Sequence, residues 1–453
     1  MSARRRFPLL FIFAGAAIAL QTNALASNKE IGPLPATELE TLRNLHELNS
    51  EEKIQYSAFQ LRKLLKTARE FSPALREGKY AVEAAEQDVN AAKGARLPQV
   101  TISGASTTYT GQIASSSRAD GRLYGSVSAT MPVYDFGRID AGIKSRESAR
   151  EATAARLDQQ QNQVAIEAAS TCLEYTKQRA LLSAAQDYLE SVKNLNDKLS
   201  KITEVDSGRK AELVQVRSRL LQAMQAKENS QSFVREFQTR LERLLGTNKE
   251  YLCEGIGFYL MQRLDIEKIR TNIRENAQVR SAQSDYEAAK HQLDQVSASR
   301  KPQFQASAVH APVAAGIIND YYQSFSLNVS LPIYDGKVLQ STEKAAYERV
   351  NAAAERIELT VIQLDAEYRE RFELATASQR RAKEYTSLLE VNDRVRKDFF
   401  VQWYSLGRRS LFELLAIEQE QYTLQQGYFT SLFDGMIGLV GILGNAGMLN
   451  LAD

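Results

Sequence analysis

Met131-Pro132-Val133-Tyr134-Asp135 and Leu331-Pro332-Ile333-Tyr334-Asp335 are two versions of one pentapeptide, about 200 residues apart. Two further landmarks return at offsets within a few residues of that one. Leu97-Pro98-Gln99-Val100 is echoed by Lys301-Pro302-Gln303-Phe304, and Ser207-Gly208-Arg209 by Leu406-Gly407-Arg408. Three matches in one order and one register indicate an internal duplication. A period this long means two copies of one large unit, not a solenoid.

Upstream of each pentapeptide the chain alternates. Phe325, Leu327, Val329, Leu331 and Ile333 fall on one face, with Ser324, Ser326, Asn328 and Ser330 on the other. In the first copy Leu123, Val127, Ala129, Met131 and Val133 oppose Tyr124, Ser126, Ser128 and Thr130. Period two predicts strands over 123–133 and 322–334. Weaker strands precede them, near 99–110 and 303–311. Polar or small-residue loops, Gly111 to Gly121 and Pro312 to Asp320, separate the members of each pair. The result is two hairpins with strands of a length that crosses a membrane at a tilt. Half of a soluble sandwich is the blander reading. The small, uncharged polar faces and the helical remainder weigh against it.

Downstream of each pentapeptide the period changes to that of a helix. Ile357, Val361, Leu364, Tyr368, Phe372 and Ala375 recur at steps of three and four, and so do Leu213, Val216, Leu220 and Ala223. From Gly137 to about 203 and from Gly336 to about 404 there is no proline and almost no glycine. Each stretch predicts a helix about 100 Å long, which requires coiled-coil packing. Both end at glycine turns, Asp206-Ser207-Gly208 and Ser405-Leu406-Gly407, and reverse into a second helix. Glycine there suits a helix end that needs positive φ.

The first 26 residues read as a secretory signal. Arg4-Arg5-Arg6 is the positive region, Phe7 to Leu20 the apolar core, and Ala24-Leu25-Ala26 the cleavage site, so the mature chain begins at Ser27. Removing three arginines from 57 basic residues, against 55 acidic ones, leaves a net charge near −1. Such a balance excludes a nucleic-acid partner, which needs a concentrated basic face. No later apolar run is long enough to span a bilayer; Met436 to Met448 comes closest. Entry into a membrane therefore requires a barrel. The expected divisions are 1–26 signal, 27–50 polar segment, 51–250 first repeat, 251–275 connecting equatorial segment, 276–445 second repeat and 446–453 tail.

Four strands cannot close a barrel, and open edges cannot face lipid. The chain must therefore oligomerise. Three copies would give twelve strands, and their helices would form one cylinder below. The expected fold is mainly α: a four-stranded share of a membrane β-barrel continuing into a long coiled-coil tunnel. Strand and helix together would run about 140 Å.

The Pro-x-Tyr-Asp boxes, each followed by glycine and a long helix, resemble the strand-to-helix junctions of TolC-family outer-membrane factors. That family's junction usually reads Pro-Leu-Phe-Asp-Gly-Gly. Here it is Pro132-Val133-Tyr134-Asp135-Phe136-Gly137 and Pro332-Ile333-Tyr334-Asp335-Gly336-Lys337. The stretch from Tyr404 to Leu415 closely resembles the family's periplasmic tip. The resemblance covers nearly the whole mature chain. It implies a homotrimer in the outer membrane of a Gram-negative cell, contacting outer-membrane lipid, with a tunnel in the periplasm. It also implies docking to a periplasmic adaptor (a membrane fusion protein) and an inner-membrane ABC or proton-driven pump. Tyr404 and Arg409 match residues that hold the second helix pair shut, and Glu413 an acid that narrows the entrance. Ala416 stands where the archetype has a second acid. In the first tip, Glu212 is the candidate acceptor for Arg409. Ser207, Gly208, Arg209, Leu406, Gly407 and Arg408 match the grooves where adaptor tips dock. A solvated coiled-coil turn is the plainer account of all these tip residues.

Cys172 and Cys253 are the only cysteines. Counted from the tip they lie about 50 and 60 Å up adjacent helices, so a disulfide and two separate buried thiols both fit. His46, His291 and His310 lack metal-ligand spacing, and there is no nucleophile motif, phosphate loop or cofactor signature. The expected function is the exit duct of a tripartite exporter, serving type I protein secretion and/or small-molecule efflux, with no enzymatic activity. The alternative is a trimeric coiled-coil adhesin or envelope scaffold, which leaves the repeated strand pairs unexplained.

Overall fold

The computed structural model describes residues 50–107, 122–246, 253, 266–315, 318–404 and 410–449. The signal segment and the loop Gly111 to Gly121 lie outside them. Residues Glu52–Asp453 form one unit.

In chain order the helices of the first copy are α1 (Ser50–Phe71), α2 (Pro73–Gly94), α3 (Arg138–Val205) and α4 (Lys210–Leu245). Strands β1 (Gln99–Thr107) and β2 (Arg122–Tyr134) stand between α2 and α3. The second copy has a short α5 (Ile266–Thr271), α6 (Ala277–Ala298), β3 (Gln303–Ala315), β4 (Ile318–Ser330), α7 (Val338–Tyr404) and α8 (Leu411–Asn445). The two long helices have 68 and 67 residues. They are the expected continuous helices, unbroken because no proline interrupts them.

The strands make one antiparallel sheet in the order β1-β2-β3-β4. The copies therefore meet at β2 and β3, and β1 and β4 are left as edges. The register puts Ser307 opposite Ser326, and Ala308 opposite Phe325. Serine and asparagine bond across the polar face: the Ser307 and Ser326 hydroxyls are 2.7 Å apart and Asn328 donates to Ser307 at 3.0 Å. On the other face Phe325, Leu327 and Val329 are exposed, as are Val100 and Ile102.

Two strand expectations are corrected. The segment Pro312 to Asp320 is not a loop but mostly ladder, with Pro312 opposite Tyr321 and Ala315 opposite Ile318. Proline is tolerated because the β2–β3 ladder ends at Val127 and His310, so Pro312 owes that side no N–H. Conversely, β4 stops at Ser330, short of the expected 334. Its counterpart β2 runs on through Pro132 to Tyr134 because β3 pairs with it there, across a bulge; β4 lies at the edge.

The long helices hold the short ones. Helix α3 packs on α2, α4, α6 and α8, and α7 packs on α6 and α8. Where α1, α3, α4 and α8 converge, Leu61, Leu64, Ala168, Cys172, Leu241 and Val440 share a core. Beside it Asn276 caps α6, and its amide donates to Tyr368 Oη at 3.0 Å and to the Asn445 carbonyl at 2.6 Å.

Helix α8 departs from the expectation that no helix could span. By length and composition it qualifies, with a mean hydropathy of 1.3 over its most apolar window. Glycines interrupt its apolar run without lowering helix continuity. Half of that window is buried inside the chain. Gly435 and Gly438 lie against Ala375 of α7, so this face is packing surface for another helix.

Candidate functional site

Two regions carry the residues singled out by sequence: the strand-to-helix junctions and the helix tips. At the junctions the repeated aspartates are helix caps. Asp135 accepts from Gly137 N at 3.0 Å and from Ile139 N at 2.7 Å; Asp335 accepts from Leu339 N at 2.7 Å. A carboxylate there satisfies orphan N–H groups and meets the positive end of the helix dipole. Two consecutive residues adopt left-handed backbone at each junction: Phe136 and Gly137 (φ 54° and 83°), then Gly336 and Lys337 (66° and 73°). Glycine occupies the second place in one copy and the first in the other. Pro132 lies within its strand, in the ladder, whereas Pro332 follows its strand.

At the first tip, α3 ends because Asp206 turns extended and its carboxylate accepts from Gly208 N at 3.0 Å. Gly208 does not adopt positive φ, contrary to expectation. The cap by Asp206 reverses the chain instead. Arg209 then donates to Glu212 through Nε at 3.0 Å and Nη2 at 2.7 Å. Glu212, the candidate acceptor for Arg409, is thus engaged within its own tip. Arg409, Leu406, Gly407 and Arg408 lie outside the described residues. Ser207 and Gly208 form the short turn itself.

At the second tip, Ser410 and Glu413 make a capping box on α8, with Ser410 N donating to Glu413 at 3.0 Å. The Glu413 carboxylate is therefore turned back on its own helix end. Tyr404 stacks on Phe400 at 5.9 Å, and Lys198 of α3 sits over both rings, at 5.0 and 4.2 Å. Trp403 is buried and carries Arg209 over its ring at 5.8 Å. The two tips are thereby joined through aromatic–cation contacts.

About ten residues above the second tip, sequence reasoning missed an ionic cluster. Arg396 of α7 bonds to Asp393 at 2.9 Å and reaches Glu418 of α8 at 3.4 Å; Lys397 meets Asp393 at 2.6 Å. Burial pushes the Glu418 carboxyl above its ordinary range, against the pull of Arg396. Lys397 and Arg396 hold Asp393 below its range. Tyr188 stacks on Tyr422 at 4.9 Å and donates to Gln419 at 2.7 Å. The i, i+3 and i, i+4 steps among 393, 396 and 397 were the readable signal; the reach to 418 was not.

Midway up, Cys172 and Cys253 form a disulfide with Cα atoms 5.2 Å apart. Among the described residues there is no cluster able to hold a metal ion.

Residues 64–247, all within the first copy, match the outer membrane efflux protein family. Over that stretch the chain is similar to the family. No curated protein sequence matches the chain. Solved structures share the fold at low identity. VceC of Vibrio cholerae is 16% identical over 86% of this chain and 96% of that one, with a TM-score of 0.72. CmeC of Campylobacter jejuni is 13% identical, covers 87% of each chain and reaches 0.75. The open state of MtrE from Neisseria gonorrhoeae is 13% identical over 86% and 89%, at 0.66.

Proposed function

We propose that this chain is an outer membrane efflux protein, the exit duct of a tripartite exporter, and that it works as a homotrimer. One observation carries the reading: a four-stranded sheet with two free edges runs directly into helices of 68 and 67 residues. An apolar face with free edges belongs in lipid only when neighbouring copies complete the barrel. Three copies supply twelve strands. A periplasmic adaptor docks at the turns around Ser207–Arg209 and 406–408, and an inner-membrane pump supplies the energy. Tyr404, with Arg409 and Glu413, restrains the second helix pair at the periplasmic end; the first pair is restrained through Glu212 and Arg209.

Single-channel recording of purified protein in planar bilayers tests the duct. A closed duct gives a small conductance that rises on Tyr404→Ala or Arg409→Ala. No conductance from correctly folded protein would remove the reading. Cargo is separated by one deletion strain scored twice, for sensitivity to small toxic compounds and for loss of a secreted protein.

A further inference from the structure

A polar recess of about 700 Å³ lies where the sheet meets the helices. Its floor includes Gln99, Thr130, Pro132 and Gln305. Gln99 pairs with Thr130 and Pro132 with Gln305, so all four share one face of the sheet with Ser128 and Ser307. That is the polar face, opposite Phe325 and Leu327. On the duct reading, on which this inference rests, the recess therefore opens into the lumen just below the barrel.

Two arginines line it, Arg138 and Arg146 of α3, with Gln292 and Gln295 of α6 facing them. Gly142 lies four residues from each, on the same side of the helix. A Cβ at Gly142 would stand 2.9 Å from Gln295 Nε2, so the missing side chain lets the amide approach. Four nearby arginines are neutralised by acids on other elements: Arg96 by Asp140, Arg150 by Glu86 at 2.7 Å, Arg156 by Asp285 and Arg300 by Glu343 at 2.5 Å each. Arg138 and Arg146 break that rule. Arg138 donates Nε to a neutral amide oxygen, Gln303 Oε1, at 2.9 Å, and neither arginine has a carboxylate partner among the described residues. Asp88 is the one acid in the lining, and it is exposed. The recess thus sets two guanidinium forks and several amide donors against a single carboxylate.

We propose that this recess is a transit site for anionic groups of the cargo, carboxylates or phosphates, on their way from tunnel to barrel. Guanidinium groups bind such oxyanions in bidentate fashion, and glutamine amides add neutral donors. The open mouth keeps the residence short.

The probe is inorganic pyrophosphate in single-channel recordings. Pyrophosphate on the barrel side reduces the current of the unaltered protein in a concentration-dependent way. Arg138→Gln and Arg146→Gln each weaken that block about tenfold, the loss expected for one charge-assisted contact. Arg150→Gln, whose charge is already paired with Glu86, leaves the block unchanged. Absence of block in the unaltered protein, or equal block in the Arg138→Gln/Arg146→Gln protein, overturns the proposal while leaving the duct intact. If no channel forms, the duct reading fails by itself. Calorimetric titration of pyrophosphate into the detergent-solubilised protein and its double variant then decides the recess alone, and equal heats overturn it.

Discussion

The Arg209 guanidinium lies 5.8 Å from the centre of the Trp403 ring, so the turn of the first helix pair touches the end of the long helix of the second. The two copies are otherwise joined at the sheet, through β2 and β3, and along α3, α6, α7 and α8. This contact joins them again at the far end, where an opening motion would have to part them.

Trp403 is the anchor of that contact, and its indole N–H has no hydrogen-bond partner among the described residues. Trp403→Phe should therefore cost little, while Trp403→Ala loses about 3–5 kcal/mol of packing. A double-mutant cycle with Arg209→Ala should return a coupling of about 0.5–1 kcal/mol. In bilayers, Trp403→Ala should raise the resting conductance and Trp403→Phe should not. The same rise in both variants would show that the ring's packing is irrelevant to closure.

The junction caps should be unequal. Asp135 accepts from two backbone N–H groups and Asp335 from one. Asp135→Ala should cost about 1–2 kcal/mol and Asp335→Ala about 1, read from thermal unfolding. The left-handed positions offer the opposite sign. Lys337→Gly should stabilise by up to about 1 kcal/mol by removing a Cβ at φ 73°, whereas Gly137→Ala should destabilise by about 1–2.

The Cys172–Cys253 bond closes a span of 81 residues. Chain entropy assigns it about 4–5 kcal/mol, so a reducing agent or Cys253→Ser should lower the unfolding midpoint markedly. Cys172→Ala should do the same and be insensitive to reductant. A midpoint unmoved by reduction would mean that the packing around Ala168 and Leu241 carries this region unaided.

Glu418 sets a pH signature. Its folded-state pKa is raised, by burial first, so the folded protein binds its proton more tightly than the unfolded chain does. Relative to Glu418→Gln, the unaltered protein should gain stability as pH falls from 7 through the raised folded value. The gain should level off near the unfolded value, about 4.3. Asp393 acts with opposite sign. Its lowered pKa means stability lost only when pH falls below the ordinary carboxylate range. Melting curves of the two proteins between pH 7 and 4 check this; parallel curves would deny Glu418 a buried state.

Much of the fold could be read along the chain because its signals are periodic. Alternation of Phe325, Leu327 and Val329 against Ser324, Ser326 and Asn328 marks a strand wherever the chain goes, and freedom from proline marks α3 and α7. The aspartates of the repeated boxes were legible as junctions, though not as caps with different numbers of bonds. Phe136 and Lys337 carried no sign of their left-handed backbone, because a neighbouring glycine invites the reading that it alone makes the turn. The Pro312 segment misled because proline marks a loop only where a ladder bond is needed.

What the sequence by itself determined was the duplicated strand-pair and helix-pair unit, the length of its helices and the positions of its turns. Those depend on steric and hydrophobic patterns local to each segment. What only the tertiary structure decided was which side chains meet: Lys198 over Tyr404, Arg209 over Trp403 with Glu212 beside it, Arg396 on Glu418, and Arg138 on the Gln303 amide. These partners are mostly brought together by the rotation of one helix against another, and a small rotation of any helix exchanges them while leaving the periodic pattern unchanged.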